Sequence, residues 1–428
     1  MTQIILTSIS VKPFLFFFIL LVSLHLSAQA PFYTHPLNDQ IKTLQVNVEG
    51  IPMSLPVILL NDQNDILIQF DEMSHDSKNY YYAIHHCNAD WTLSSLPDLQ
   101  AVNGFSTGLI IQSALSVNTT FLYTHYWLRF PNENTQMKVS GNYVVSIYED
   151  NDPEKVVAYA CFSVVDPRVK IHGAIRGNTD TELNGRYQQL DFTIDNSNFP
   201  IRDVFSEMHV LIRQNDRRDN EVFNVQPTYT SQGVQTFTNN NALIFQGGNS
   251  YRQFDLSSVY LGAIGVKQIQ YVAPYYHATL YDDAIRAGRS FEKEPDVHGN
   301  FLIHLQNHSR PEIEADYIYV HFTLPDPSPL FEGSLYLSGN FVYNQFDTHD
   351  RLDYNGKDQA YEKTLLLKQG GYNYLYLYVP KGDSTGSTFP VEGSHWQTDN
   401  QYAVYVYYRP QGDLYDQLIG FQTIDSIR

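Results

Sequence analysis

Tyr80-Tyr81-Tyr82-Ala83-Ile84-His85-His86-Cys87-Asn88-Ala89-Asp90-Trp91 is an aromatic run that ends abruptly in polar residues. Read with a period of two, Tyr80, Tyr82, Ile84 and His86 share one side and Tyr81, Ala83, His85 and Cys87 the other, which predicts a strand covered on both faces. Two histidines and a cysteine are ordinary zinc ligands. The pleat separates His85 from His86, however, and leaves only His85 and Cys87 to share an ion. No second pair at ligand spacing occurs elsewhere, and a closed site needs four converging ligands, so no metal site is expected. Asn88 and Asp90 instead suit a turn that satisfies backbone donors, with Trp91 anchoring it in apolar packing.

Working outward, residues 41–48, 56–60 and 66–70 precede this strand as short apolar or alternating runs separated by turn residues. Residues 121–130, 141–148 and 155–165 follow it in the same way. Strands at this spacing predict a sandwich, closed by Asp166-Pro167, and hence a first domain over 31–167. The chain holds 32 Tyr and 25 Phe but 3 Trp, and hardly any Ala-Leu-Glu-Lys block, which suits a pleated, half-buried surface. The fold class is therefore all-β, a tandem of β-sandwich domains.

A looser middle domain is expected over 168–310, with strands at 189–194, 208–214, 235–237 and 268–276. Its amide tracts, Asn239-Asn240-Asn241 and Gln246-Gly247-Gly248-Asn249, read as solvated loops, or else as amides offered to a partner's backbone. A third domain is expected over 311–428, with strands at 316–324 and 333–338 around the loop Pro325-Asp326-Pro327-Ser328-Pro329. Residues 416–428 are expected to complete its own sheet. This domain resembles immunoglobulin-like starch-binding and glycogen-binding modules, although Asn340-Phe341-Val342-Tyr343-Asn344 lacks the tryptophan of a ligand-stacking turn. His395 and Trp396 could replace it or could pin a loop. Tyr372, Tyr374, Tyr376 and Tyr378 fall on one side of a strand and read as a half-buried sheet face, the alternative being a stacking platform for sugar rings or an extended peptide.

Lys12, the apolar run 14–26 and Ser27-Ala28-Gln29-Ala30 read as a secretory signal over 1–30, since about thirteen apolar residues fall short of a membrane span. Beyond it 26 Lys and Arg face 46 Asp and Glu, near −20, which disfavours nucleic acid and anionic lipid as partners; no later stretch is long and apolar enough to span a membrane, so no direct membrane insertion is expected. Cys87 and Cys161 remain in an oxidising compartment and could pair if their strands are neighbours. No nucleophile elbow, zincin helix or phosphate-cradling loop occurs, and Asp282-Asp283 and Glu312 with Glu314 read as solvated turn acids. Neither a catalytic residue nor a cofactor-binding residue is therefore expected, and the chain reads as no enzyme.

The run 86–91, preceded by Phe70-Asp71-Glu72-Met73, resembles the plug protein family of the Bacteroidetes type IX secretion system. In order follow Asn118-Thr119-Thr120, Tyr123-Thr124-His125-Tyr126, Ser140-Gly141-Asn142-Tyr143, Arg213-Gln214-Asn215, Leu366-Leu367-Lys368-Gln369-Gly370, Thr398-Asp399-Asn400-Gln401-Tyr402 and Asp416-Gln417-Leu418-Ile419-Gly420. The middle third matches least, and Ser250 stands in Gly248-Asn249-Ser250-Tyr251-Arg252 where an acidic residue is expected. The resemblance implies a non-enzymatic periplasmic subunit, peripherally held at the outer membrane. It would dock on the periplasmic face of the outer-membrane type IX translocon barrel and plug it when no cargo is in transit, with no partner-binding residue carried over. The other class left open is an exported carbohydrate-binding or glycosidase-accessory protein.

Overall fold

The structure, a computed structural model, describes residues 30–260 and 263–426; the signal expected over 1–30 lies, but for Ala30, outside the described residues. The chain is all-β, and its strands build three sandwiches. In the first, one sheet runs in the order His35–Pro36, Val156–Val165, Gly141–Glu149, Tyr80–Cys87, Thr107–Ile110, with Val57–Leu59 parallel to Val156–Val165. The facing sheet runs Ile41–Val48, Ile66–Glu72, Thr124–Phe130, Gln112–Leu115. Tyr80, Tyr82 and Ile84 enter the core between them, against Phe70, Tyr126 and Phe130. The opposite side of that strand is only half-buried at Tyr81, Ala83 and His85. The expectation of cover on both faces holds fully only at its end, where Cys87 meets Trp91 and Cys161, because the earlier part is met on that side only in places, Tyr81 by the neighbouring Tyr148 ring and His85 by Asp98, among the described residues.

The middle sandwich sets Lys170–Arg176, Tyr187–Asp195, Val234–Phe237 and Tyr229–Ser231 against a sheet ordered Val222–Phe223, Met208–Gln214, Gln401–Tyr408, Gln417–Asp425. Two of these strands come from the far end of the chain. The expected partition into 168–310 and 311–428 therefore differs from the sheets, and within the expected 416–428 segment the strand Gln417–Asp425 joins the middle unit rather than completing the third. Val210 faces Val406 and Ile212 faces Val404 across the ladder, and these side chains share the middle core. Apolar complementarity selects this pairing, and the long intervening segment costs little, because loop-closure entropy grows only about 0.6 kcal/mol per doubling of length.

The third sandwich is thus an insertion between strands of the second. One sheet centres on Gly370–Pro380, flanked by Arg252–Asp255, Phe301–Ile303 and Gly333–Ser338. The other runs Val266–Val272, Tyr275–Leu280, Tyr317–Pro325, Ala360–Lys368, Asp353–Asn355. The single strand expected at 268–276 is a hairpin turning at Ala273-Pro274, with Val272 opposite Tyr275. Tyr372, Tyr374 and Tyr376 are 3%, 3% and 0% exposed, so they belong to the core and form no open stacking platform.

Candidate functional site

The segments that carry the family resemblance lie far apart in sequence, yet most of them meet in space where the three sandwiches touch. At the first seam the Asp71 carboxylate lies between the first and third units. Lys368 Nζ donates to its Oδ2 at 2.5 Å, Tyr317 donates to the same oxygen at 2.7 Å, and His125 Nδ1 lies 2.7 Å from Oδ1. Asp71 and Lys368 side chains are each 1% exposed. Burial alone would raise the Asp71 pKa, but Lys368 and His125 outweigh it and hold the carboxyl below its usual range. Lys368 also donates to the Glu312 carbonyl at 2.7 Å and lies 4.3 Å from the Tyr123 ring centre. Asp316 accepts from the Thr120 and Phe121 amides at 2.8 and 3.1 Å. Glu312 thus contributes its backbone, and Glu314 pairs with His308 and Arg310.

The second seam joins the first and middle units through the turn after Cys87. Asp416 accepts from the Ala89 amide at 2.8 Å. The Asn142 amide donates to Asn88 O at 3.0 Å, while its oxygen accepts from Tyr407 at 3.0 Å and Ser163 at 2.8 Å. His86 is enclosed by the Tyr143 and Tyr415 rings, 5.1 Å away each, and its ring nitrogens meet Ser94 Oγ and Ser140 O. Burial pulls its pKa down to about 4, so it is a neutral packing group. Gly141 has φ +141, and a Cβ there would lie 2.1 Å from His86 Nε2; only glycine lets the backbone pass this close.

The third seam joins the middle and third units. Arg217 donates to Gly386 O and the Gly386 amide donates to Asp219, both at 2.9 Å. Asn215, Asn400 and Gln188 form a buried amide chain behind it. The tract 246–249 is buried at Asn249 and half-buried at Gln246, unlike the solvated loop expected, whereas Asn239 and Asn241 are exposed. Gly248–Arg252 gains a definite role here, since Arg252 bridges Glu392 at 2.9 Å and Asp283 at 2.8 Å. Asp283, expected to be a solvated turn acid, also accepts from Tyr374 and Tyr376 at 2.8 and 2.7 Å; its neighbour Asp282 is exposed. Trp396 packs on Gly177 and His395 lies against Phe291, so both pin the loop.

Where all three units meet, a cavity of about 160 Å³ is lined by Leu44, Trp91, Cys161, Arg213, Arg218 and Tyr343. Arg213 pairs with Glu221 at 2.9 Å, and Arg218 stacks 4.7 Å from the Trp91 ring centre while donating to Phe32 O. Cys87 and Cys161 are free and buried, on strands that flank Gly141–Glu149 on opposite sides rather than adjoining each other. Burial pushes the Cys161 thiol up to about 11 and Cys87 higher still, so neither is a thiolate nucleophile at neutral pH. Among the described residues no three His, Cys, Asp or Glu side chains converge as a metal site. His85 turns to Asp98, 3.1 Å away, and not to Cys87. Sequence reasoning missed Asp71 and Lys368 as partners; their one signal was a place in two resembling segments.

No curated protein matches the chain. A crystal structure of a hypothetical protein from Parabacteroides merdae is similar over 93% of this chain and 100% of its own, at 42% identity and a TM-score of 0.91. The family model described as the Type 9 secretion system plug protein 1st domain matches residues 41–166, which hold the Tyr80–Trp91 stretch and the Asp71 side of the first seam. The chain belongs to the plug protein family of the type IX secretion system.

Proposed function

We propose that this protein is the exported stopper of the type IX translocon. It docks on the periplasmic opening of the outer-membrane barrel, closes it when no cargo passes, and performs no reaction. The observation that carries this reading is the set of three buried polar seams. A group such as Asp71 is satisfied in only one placement of its neighbours, and an unpaired buried charge is costly, so each seam resists sliding of one sandwich on another. Three sandwiches held this way supply breadth and stiffness, which covering a wide pore demands and a catalytic cleft does not. The family places the chain in type IX secretion; a periplasmic location, delivery by the 1–30 signal and the barrel as docking partner complete the proposal.

The test is co-isolation with the outer-membrane barrel from detergent-solubilised envelopes, together with permeability of cells lacking the gene to a normally excluded antibiotic. A barrel recovered with the protein and a leaky deletion strain are expected. Failure of co-isolation together with an intact barrier in the deletion strain would end the proposal. The carbohydrate-binding reading, motivated by the third domain's resemblance to such modules, loses the tyrosine row as a stacking platform, because Tyr372, Tyr374 and Tyr376 are core residues.

A further inference from the structure

Residues 99–124 contain no Asp, Glu, Lys or Arg, in a chain that carries 27 basic and 46 acidic residues. In space this segment forms the open side of the first sandwich. Among the described residues, Thr107–Ile110 ends one sheet, paired only with Tyr80–Cys87, and Gln112–Leu115 ends the other, paired only with Thr124–Phe130; Ile111 is the crossing point. Phe105, Leu109, Ile111, Leu115, Val117 and Leu122 are 68%, 44%, 74%, 41%, 38% and 53% exposed. Single exposed aliphatics are ordinary, but Leu109, Ile111 and Leu115 lie on or between two strand edges left unpaired among the described residues, a template for strand pairing, with Phe105, Val117 and Leu122 beside them.

Proteins blunt such edges with charge, and this chain does so elsewhere. Among the described residues, the other strands of four or more residues that end a sheet's order carry Lys42, Lys170, Asp255, Lys267 or Asp425. Gly333–Ser338 carries no charge, but its outer side is taken by backbone bonds from Leu337 to Asp350 and from Leu352 to Leu335. The uncharged tract 222–251 exposes only Phe223 and Tyr229 among large apolar side chains. The 107–115 edge is thus left both bare and neutral.

We infer that this edge is the docking surface for the barrel, and that its occupant is an uncharged extended segment of the periplasmic rim which adds as a strand and sheathes Leu109, Ile111 and Leu115. The charge pattern selects the occupant. A charged strand would bury its charge against an edge with no counter-ion, whereas a neutral one meets neutral surface and avoids the net negative remainder of the chain. This inference rests on the stopper reading.

The experiment uses the full chain with Leu109→Lys and Ile111→Lys together, and a control with Tyr271→Lys and Val272→Lys on the edge that already holds Lys267. All four positions are exposed, so melting temperatures should match wild type. Wild type and control should bring down the barrel, identified by mass spectrometry, and the 109/111 variant should bring down at least about tenfold less. Undiminished recovery overturns the edge assignment while leaving the stopper reading intact; absence of the barrel from the wild-type sample overturns both. Should the double variant melt early, Ile111→Cys and Val272→Cys provide a second measurement, since the native thiols are buried. Ile111→Cys should be shielded from a maleimide in the complex and Val272→Cys should not; equal labelling refutes the inference. Flotation of wild type, but not of the 109/111 variant, with phosphatidylethanolamine vesicles would refute it in favour of a lipid surface.

Discussion

Replacing Lys368 by methionine keeps the side chain's length and removes its charge, so the first seam loses the cation that holds Asp71. The aspartate is 1% exposed and would keep only the Tyr317 hydroxyl and His125. Stranding one partner of a buried pair costs about 3–5 kcal/mol. At ~2.1 cal/mol/K per residue, a chain of some 400 residues has a melting entropy near 0.8 kcal/mol/K, so the expected drop in melting temperature is about 4–6 °C for a single transition. Scanning calorimetry reads this directly, and separation of the endotherm into two peaks would mean that the first unit has come loose. Combining Lys368→Met with Asp71→Asn removes the stranded charge, so the double variant should recover about 1–3 kcal/mol relative to the sum of the single losses. A single variant that melts within 1 °C of wild type, or strict additivity of the pair, would refute the view that this seam is held by a coupled ion cluster.

Four further outcomes follow from the same geometry. His86 folds with its pKa near 4, against about 6.5 when unfolded, so the unfolded chain binds the extra proton and stability should fall as pH drops from about 6.5 to 4. The loss approaches ~3 kcal/mol and should be flattened in His86→Gln, as read by urea midpoints across that range. Asp71, held low, acts in a lower window: its contribution is complete above its unfolded pKa of about 3.9 and is lost as pH falls through the folded value. Gly141→Ala meets His86 Nε2 at 2.1 Å on a backbone with φ +141, and a loss above about 2 kcal/mol in chemical denaturation is expected; a loss under 0.5 would mean that the seam is loosely packed. A thiol reagent should find two thiols in unreduced denatured protein and none in the native protein, whereas no thiols in the unreduced denatured sample would reveal a bridge between Cys87 and Cys161.

The strands were legible wherever a local pattern decides them. Residues 41–48, 208–214 and 333–338 form strands with the bounds their alternation predicts, and Tyr80, Tyr82 and Ile84 face the core as their period requires. Pairing between distant segments was not legible. Gln401–Tyr408 would suit any apolar sheet, and only the third dimension sets Val404 and Val406 against Ile212 and Val210. The hairpin at Ala273-Pro274 had a local signal, since proline has no amide for a ladder, but the alternation on both sides of it masked the break. Asp71, Asp283 and Lys368 carry no mark of burial, because a charge is buried only where a partner distant in sequence makes it tolerable, 297 residues away for Asp71 and Lys368 and 31 to 93 for Asp283. Their neighbours in the resembling segments pointed to the right places without saying what they did.

The insertion of the third sandwich between strands of the second sets a timetable for synthesis. Asn215 is already made when the ribosome begins the stretch to Gln401, 186 positions on, whose carbonyl accepts from the Asn215 amide and whose own amide donates to the Asn215 side chain. At 5–20 residues per second this is a wait of roughly 10 to 40 s, during which the backbone edge of Met208–Gln214 that pairs with Gln401–Tyr408 has no neighbour. A message cut short anywhere before residue 400 therefore yields a middle unit without two of its strands, a lesion that quality-control proteases can recognise. Fragments of this protein should consequently be scarce in the cell, and its abundance should follow the number of chains finished rather than the number begun.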